Sequence, residues 1–399
     1  MVYHWPPVLE TFLQTLMDGL AVGSLYALIA LGYTMVYGIL KFINFAHSDV
    51  FVLGAWLSYS IAVSGGLSAD PATPITPWVW WAAGVSVGVA VLMQLYDRVV
   101  FDRLPIGARE RLPAPGMGTT FTIVSVWGWI AIGLVLLARG IGEGSLPQST
   151  ARTVSGGVIL IAAMAACGLV GFSLERAAYK PLRKAPRLNV LITAIGVSLL
   201  LQNAGQLDWM FGTRPQGMPT LLPDLTLATF GGDNGASPVK LQLIDVVGAG
   251  TAVVLMILLD ILVFRTKLGR AMRAVSFNDR NASLMGIPVD QVISFTFVLG
   301  AVLAAAAGFL FGQKYSGLNQ TAAPIWVLLG LKAFVAAVVG GIGNIRGAML
   351  GGLLIGSAEM FAKRYQSPAI ADIYVFVILI LVLLFKPTGL LGTRLQEKV

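Results

Sequence analysis

The side chains best placed to do chemistry are few, polar, and set in long apolar runs. Asn44, His47, Ser48 and Asp49 interrupt F-I-N-F-A-H-S-D at residues 42–49. An amide, an imidazole, a hydroxyl and a carboxylate so close together offer a polar solute both donors and acceptors. Polar groups at membrane depth are costly unless a cavity or partner receives them, so by default they are functional candidates. An interfacial turn, where polarity costs nothing, accounts for the same spacing. The stretch I-T-A-I-G-V-S-L-L-L-Q-N, residues 192–203, places Thr193, Ser198, Gln202 and Asn203 on one helix. Serine and threonine in such helices often serve as interhelical or local glue, which leaves Gln202 and Asn203 as the better lining candidates. Lys332 also stands inside an apolar run and needs a carboxylate or water; Glu359 is its candidate partner. Structural support and the lining of a path fit this pair equally.

Other chemistries are missing. No G-x-x-x-x-G-K-[ST] is present, so the chain does not bind ATP by a P-loop. Neither metal-ligand spacing nor a nucleophile elbow is visible, and two histidines and one cysteine leave little for a soft metal. No catalytic residue, cofactor or metal is therefore assigned. The sequence G-G-I-G-N-I-R-G at 340–347 fails as a dinucleotide fingerprint because no strand precedes it. Gly340, Gly343, Gly347 and Gly351 instead recur at three- or four-residue spacing, as a small face for packing against another helix.

The longest polar interruption of the C-terminal half is 265–288. It carries Arg265, Lys267, Arg270, Arg273 and Arg280 against one acid, Asp279. A short basic loop between apolar runs lies in the cytoplasm by the positive-inside rule. Ser276 with Asp279 reads as a capping box, Gly286 as the left-handed residue after the helix, and Pro288 as a stop. These signals predict one two-turn helix over 277–285, with Phe277, Leu284 and Met285 as apolar knobs. Such a helix suits a groove on another protein; a solvated loop that only sets topology suits the same signals.

The elements that position these groups follow from composition. Of 399 residues, 56% are hydrophobic and 12% charged, and mean hydropathy is +0.80. Soluble domains carry about 25% charged residues, so an all-α, polytopic membrane protein is predicted. The net charge of +8 reflects basic residues in short loops and signals orientation rather than nucleic acid. Apolar segments fall near 12–38, 46–66, 78–97, 118–138, 156–174, 190–210, 243–264, 291–313, 325–341, 348–362 and 373–386, giving about 8–11 transmembrane helices. Basic loops at 98–111, 176–187 and 265–280 put the N-terminus outside and the C-terminus inside. Lys363 and Arg364 then violate the rule mildly. The outer loop 211–242, rich in Pro and Gly, suits either the docking of an external partner or a plain connector. No cleavable signal is seen, so the first span is expected to remain.

Four separated motifs resemble one family. R-A-x-x-x-x-D-x-x-A-S-L-x-G-I, carried by Arg273, Ala274, Asp279, Ala282, Ser283, Leu284, Gly286 and Ile287, resembles the cytoplasmic coupling segment of ABC importer permeases. I-N-F-A-H (Ile43 to His47, with Phe45), S-L-E-R-A-A-Y-K-P-L-R at 173–183 and the glycine-rich 331–352 are similar to the branched-chain, or hydrophobic, amino-acid uptake branch. The family's acid usually sits where this chain has Phe277 or Asn278, and Gly-Glu usually follows I-N-F-A-H where this chain has Ser48-Asp49. Residues 71–155 look like an inserted pair of helices in one otherwise continuous permease domain, 1–399.

The resemblance implies a multi-pass subunit in a bacterial inner membrane. It implies two separate cytoplasmic ATPases, a homologous second permease, a periplasmic or extracellular amino-acid-binding protein and surrounding lipid. It also places Asn44, Phe45 and His47 beside the substrate path, with Gln202 and Asn203 joining them from their polarity. A permease for urea or short amides shares the architecture and stands as the alternative. An ion-coupled secondary transporter is the rival of another class, with His47, Asp49, Asp208, Asp245 and Asp260 as its possible coupling groups. A membrane enzyme would need a nucleophile and base that are not visible.

Overall fold

The computed structural model describes residues 7–64, 148–183, 185–223, 225–230 and 238–392. Numbered over these residues, the helices are α1 (Pro7–Leu40), α2 (His47–Ser64), α3 (Gln148–Leu174), α4 (Arg187–Gly205), α5 (Leu243–Arg265), α6 (Lys267–Phe277), α7 (Asp279–Leu284), α8 (Val289–Tyr315), α9 (Pro324–Gly340), α10 (Ile345–Tyr365) and α11 (Ala371–Phe385). Seven helices among the described residues are long and apolar enough to cross a membrane, and α9 is a shorter apolar one. The apolar segments expected at 78–97 and 118–138, and most of the insertion expected at 71–155, lie outside the described residues.

At about 1.5 Å per residue the 34-residue α1 is about 51 Å long, well beyond a hydrocarbon core of about 30 Å. It forms the axis of the domain: Leu25 to Leu31 are all buried, and α8, α9 and α10 pack around it. Small residues permit that approach. A Cβ built on Gly352 would fall 2.4 Å from the Ala27 Cα, and one on Gly356 would fall 2.3 Å from the Gly23 Cα. Gly19, Gly23 and Ala27 thus repeat at four-residue spacing along the α1–α10 seam.

The predicted glycine face is present in part. A Cβ on Gly351 would lie 2.0 Å from the Ala336 carbonyl, and one on Gly340 would lie 2.0 Å from the Gly347 carbonyl. These three glycines therefore hold α9 against α10. Gly343 does not join them: it sits in the intervening turn at φ +93°, a backbone conformation that favours glycine.

The outer helices are apolar where no described residue covers them. Val253, Ile257 and Ile261 on α5, and Ile373, Ile380 and Leu384 on α11, are exposed, as lipid-facing positions require. The expected outer loop is partly strand. β2 (Thr226–Phe230) and β3 (Val239–Gln242) pair antiparallel with Phe230 opposite Val239. β1 (Gln216–Gly217) pairs with β4 (Gly317–Leu318), which follows α8. Gln313 fastens the loop from inside, accepting from the Leu221 amide at 3.0 Å and donating to the Pro219 carbonyl at 3.0 Å.

Candidate functional site

The segment between α1 and α2 folds back along α1. His47, the first residue of α2, places its Nε2 3.2 Å from the Ile29 carbonyl and its ring edge-on to Tyr33 at 4.8 Å. Gly32 is where the imidazole fits: a Cβ there would lie 2.1 Å from the His47 Nε2. From Gly32 to Leu40 is about 12 Å of helix, so α2 starts that far back from the end of α1. The turn over 41–46 is therefore not a surface turn. Its irregular backbone is half-buried or buried throughout, the condition under which non-helical chain is tolerated at such depth.

Each polar group of the turn is held. Asn44, buried, accepts from the Tyr179 hydroxyl at 2.5 Å. Phe45 leans on Phe334, with ring centroids 6.3 Å apart. Gln202 reaches across from α4, donating to Asp49 at 2.9 Å and to the Ser198 hydroxyl at 3.1 Å, while the second Asp49 oxygen is buried without a hydrogen-bond partner. Asn203 is not brought into this group. It is exposed and donates to the carbonyl of Leu199 one turn back. Asp49, a candidate by its polarity, joins the group with one orphan oxygen. Tyr179 lay within the motif at 173–183, but nothing there assigned it to this turn.

That tyrosine belongs to a π-helical turn, Glu175–Tyr179, that ends α3. Glu175 is fully buried, accepts from Ser294 at 2.5 Å and is ion-paired with Arg183. Arg183 and Lys180 both bind Asp290, at 2.5 and 2.8 Å. A π-turn shifts side chains out of α register and recurs at functional sites. Here it directs Glu175 and Arg183 to the start of α8 and Tyr179 to Asn44.

The segment 265–288, expected in the cytoplasm, is two helices, not one. α6 is amphipathic, burying Gly269, Met272 and Val275, and Thr266 caps it by accepting from the Gly269 amide at 3.1 Å. Ser276 lies inside α6 and so cannot cap the next helix. Its hydroxyl instead donates to the Gly38 carbonyl at 2.6 Å. Asn278 is the true cap of α7, accepting from the Asn281 amide at 2.9 Å. Asp279 only accepts from the adjacent Arg280 amide, at 2.8 Å. The far end matches the sequence reading: Gly286 has φ +79° and the Ile287 amide reaches the Ala282 carbonyl at 3.1 Å, a Schellman closure.

Ala282 is buried and Ala274 half-buried against the body of the segment, whereas Phe277, Leu284 and Met285 stand 83%, 80% and 83% exposed. Arg270 is exposed, and Arg273 lies over the Phe264 ring at 5.3 Å. Lys41, outside the spans, donates to the Gly38 carbonyl at 2.7 Å, and partial burial lowers its pKa from the usual lysine value.

Lys332 and Glu359 do meet, at 2.9 Å. They belong to a larger cluster: Lys332 also binds Asp372 at 2.5 Å, Lys363 binds Glu359 at 2.6 Å, and the Tyr26 hydroxyl donates to Glu359 at 2.7 Å. The ion pair gives Lys363, the mild violation of the charge rule, a carboxylate partner. Two acids that an ion-coupled transporter could have used are also paired, Asp245 with Lys314 and Asp260 with Arg346.

A bundle of membrane-length helices, a folded-back polar turn at its centre and exposed apolar knobs on one loop define a polytopic permease subunit. The comparisons agree. The family described as "Branched-chain amino acid transport system / permease component" matches residues 15–101 and 114–383, and this chain belongs to it. The permease protein BraD of the high-affinity branched-chain amino acid transport system of Pseudomonas aeruginosa is 35% identical over 393 residues, covering 98% of this chain and 100% of BraD. The corresponding LivH proteins of Salmonella typhimurium and Escherichia coli are 36% and 35% identical over 388 residues, covering 97% of this chain and 98% of each relative. No solved structure matches the chain.

Proposed function

We propose that this chain carries branched-chain or other hydrophobic amino acids across a bacterial inner membrane as one permease of an ABC importer. Near-full-length kinship to permeases of branched-chain systems is the observation that carries the substrate class. Phe277, Leu284 and Met285 carry the partnership: three large exposed apolar side chains, at the end of α6 and at the end of α7, fit a groove on an ATPase better than water. A homologous second permease and an external amino-acid-binding protein complete the assembly.

In this reading ATP binding closes two ATPases on α7, and the movement rocks α1 and α8 to expose the path alternately to each side. Gln202 and Asn44 offer the passing zwitterion brief polar contact, while His47 and Phe45 set the turn that positions them. Residues 71–155 are an insertion of peripheral role; the break in the family match, 102–113, falls inside them. Expression in cells lacking branched-chain amino-acid uptake, with purification of the assembly and mass spectrometry of its companions, tests the whole reading. Restored uptake of leucine, isoleucine and valine with a bound ATPase is expected. Its absence with a correctly inserted chain overturns the reading.

A further inference from the structure

A cavity of about 360 Å³ lies between α1, α8, α9 and α10. That volume falls in the range of about 300–1,000 Å³ usual for small-molecule pockets. Part of the lining is apolar and aromatic: Phe311, Ile325, Trp326, Leu328 and Leu329. The rest is largely charged and hydroxylic: Tyr26, Tyr315, Lys332, Glu359 and Lys363. It borders the outer end of the domain, since Gly317 and Asn319, which follow α8, also line it.

The charged part of the lining, with Asp372 beside it, sets two lysines against two carboxylates, so two ion pairs are buried or half-buried here. Glu359, 1% exposed, receives both Lys332 and Lys363 on the same oxygen, at 2.9 and 2.6 Å, while its other oxygen takes the Tyr26 hydroxyl. Lys332 is already balanced by Asp372 at 2.5 Å. Lys363 has a single carboxylate partner and a side chain 36% exposed, so it can move without leaving a buried charge bare. Burying ions costs several kcal/mol each unless partners repay it, so ion pairs beside a cavity call for a purpose.

We infer that this cavity is a receiving site for a free amino acid with an apolar side chain. The zwitterion inserts between Lys363 and Glu359. Its carboxylate takes the Lys363 ammonium, its ammonium takes Glu359, and one ion pair becomes two with no change in net charge. The side chain lies against Trp326 and Phe311, which exclude water from the new pairs. Lys332, held by Asp372, keeps Glu359 in place. Lys332 and Glu359 thus serve in recognition as well as support.

The inference rests on the amino-acid importer reading, and one set of measurements separates the two. The full permease–ATPase assembly in lipid nanodiscs, without the external binding protein, is titrated with L-leucine, with leucinol, which lacks the carboxylate, and with 4-methylpentanoate, which lacks the ammonium. Leucine is expected to bind, and each analogue about tenfold or more weakly, the equivalent of one hydrogen bond to a charged group. Lys363→Gln should weaken leucine about tenfold without altering leucinol, and Lys363→Arg should restore it. Equal binding of leucine and leucinol by the wild-type assembly, or unchanged leucine binding by Lys363→Gln, overturns the site. The analogue series needs no variant, so a misfolded variant leaves the inference testable. Leucine uptake by whole cells is scored separately: uptake without leucine binding sinks the site alone, and binding without uptake sinks the importer reading alone.

Discussion

The hydroxyl of Ser276 donates to the carbonyl of Gly38 at 2.6 Å, and the same carbonyl receives the Lys41 ammonium at 2.7 Å. One backbone oxygen at the end of α1 therefore joins the last turn of α6 to the turn that folds back toward α2. The exposed knobs Phe277, Leu284 and Met285 begin one residue beyond Ser276. In the proposed coupling, a pull on α7 would reach the end of the central helix through this bond and through the buried Val275 and Ala282.

Ser276→Ala tests that link. A net hydrogen bond contributes about 1 kcal/mol, so the fold and the complex should survive its loss. Uptake is expected to fall several-fold while ATPase association and basal ATP hydrolysis stay near wild type. Ser276→Thr, which keeps the hydroxyl, should restore most of the uptake. Equal uptake by all three proteins would show that coupling does not pass here.

Leu284→Asp places a charge where the seated helix would bury an 80%-exposed leucine. Burial stabilises by about 25 cal/mol per Å², and an unpaired carboxylate reverses the sign. Transport should be abolished and the ATPase lost on purification, with normal insertion in the membrane. Since Leu284 is 80% exposed among the described residues, a variant that fails to insert would contradict the assignment of its exposure.

Topology is checked with single cysteines, because Cys167 is fully buried and gives little background. Thr229 in β2 and Ser283 in α7 are both exposed. Thr229→Cys should react with an impermeant reagent on spheroplasts, Ser283→Cys only after permeabilisation. The reverse pattern would place α7 outside and remove any contact with a cytoplasmic ATPase.

Gly352→Val probes the α1–α10 seam, where a Cβ would lie 2.4 Å from the Ala27 Cα. Overpacking of this kind usually costs about 1–3 kcal/mol, and here the obstruction is backbone that cannot step aside. Loss of folded protein is expected, read as a lower melting temperature in detergent. Gly157→Val, whose Cβ would meet nothing within 4 Å, should be close to neutral.

Long periodic features were legible in the sequence and pairwise ones were not. The apolar runs among the described residues are helices because length and hydropathy are local properties, and Gly286 ends α7 because its backbone conformation is local too. Ser276 misled because a capping box looks the same within a helix as before one; the amphipathic α6, pinned by Met272 and Val275, had to be seen first. The Lys332–Glu359 pair could be guessed, since a lone lysine demands an acid. Tyr26 and Asp372 could not. Tyr179 stood in a recognisable motif, but nothing local marks its meeting with an asparagine 135 positions away.

The Asn44–Tyr179 bond separates two roles for the folded-back turn. Asn44 is buried, and its Oδ1 receives the tyrosine hydroxyl at 2.5 Å, so that side of the amide is occupied. If Asn44 serves by holding the turn, Tyr179→Phe removes the same bond from the other side and should match Asn44→Leu. If Asn44 also touches the passing substrate, Asn44→Leu must be the more damaging. Leaving either partner unpaired in a buried site costs about 1–3 kcal/mol, enough to distort the turn without unfolding the bundle. Both variants are therefore expected to lower the maximal uptake rate for leucine. Asn44→Leu should lower it several-fold more, and the affinity of the external binding protein should not change. Identical losses would reduce Asn44 to a brace for α2. Wild-type uptake in both would remove the turn from the path.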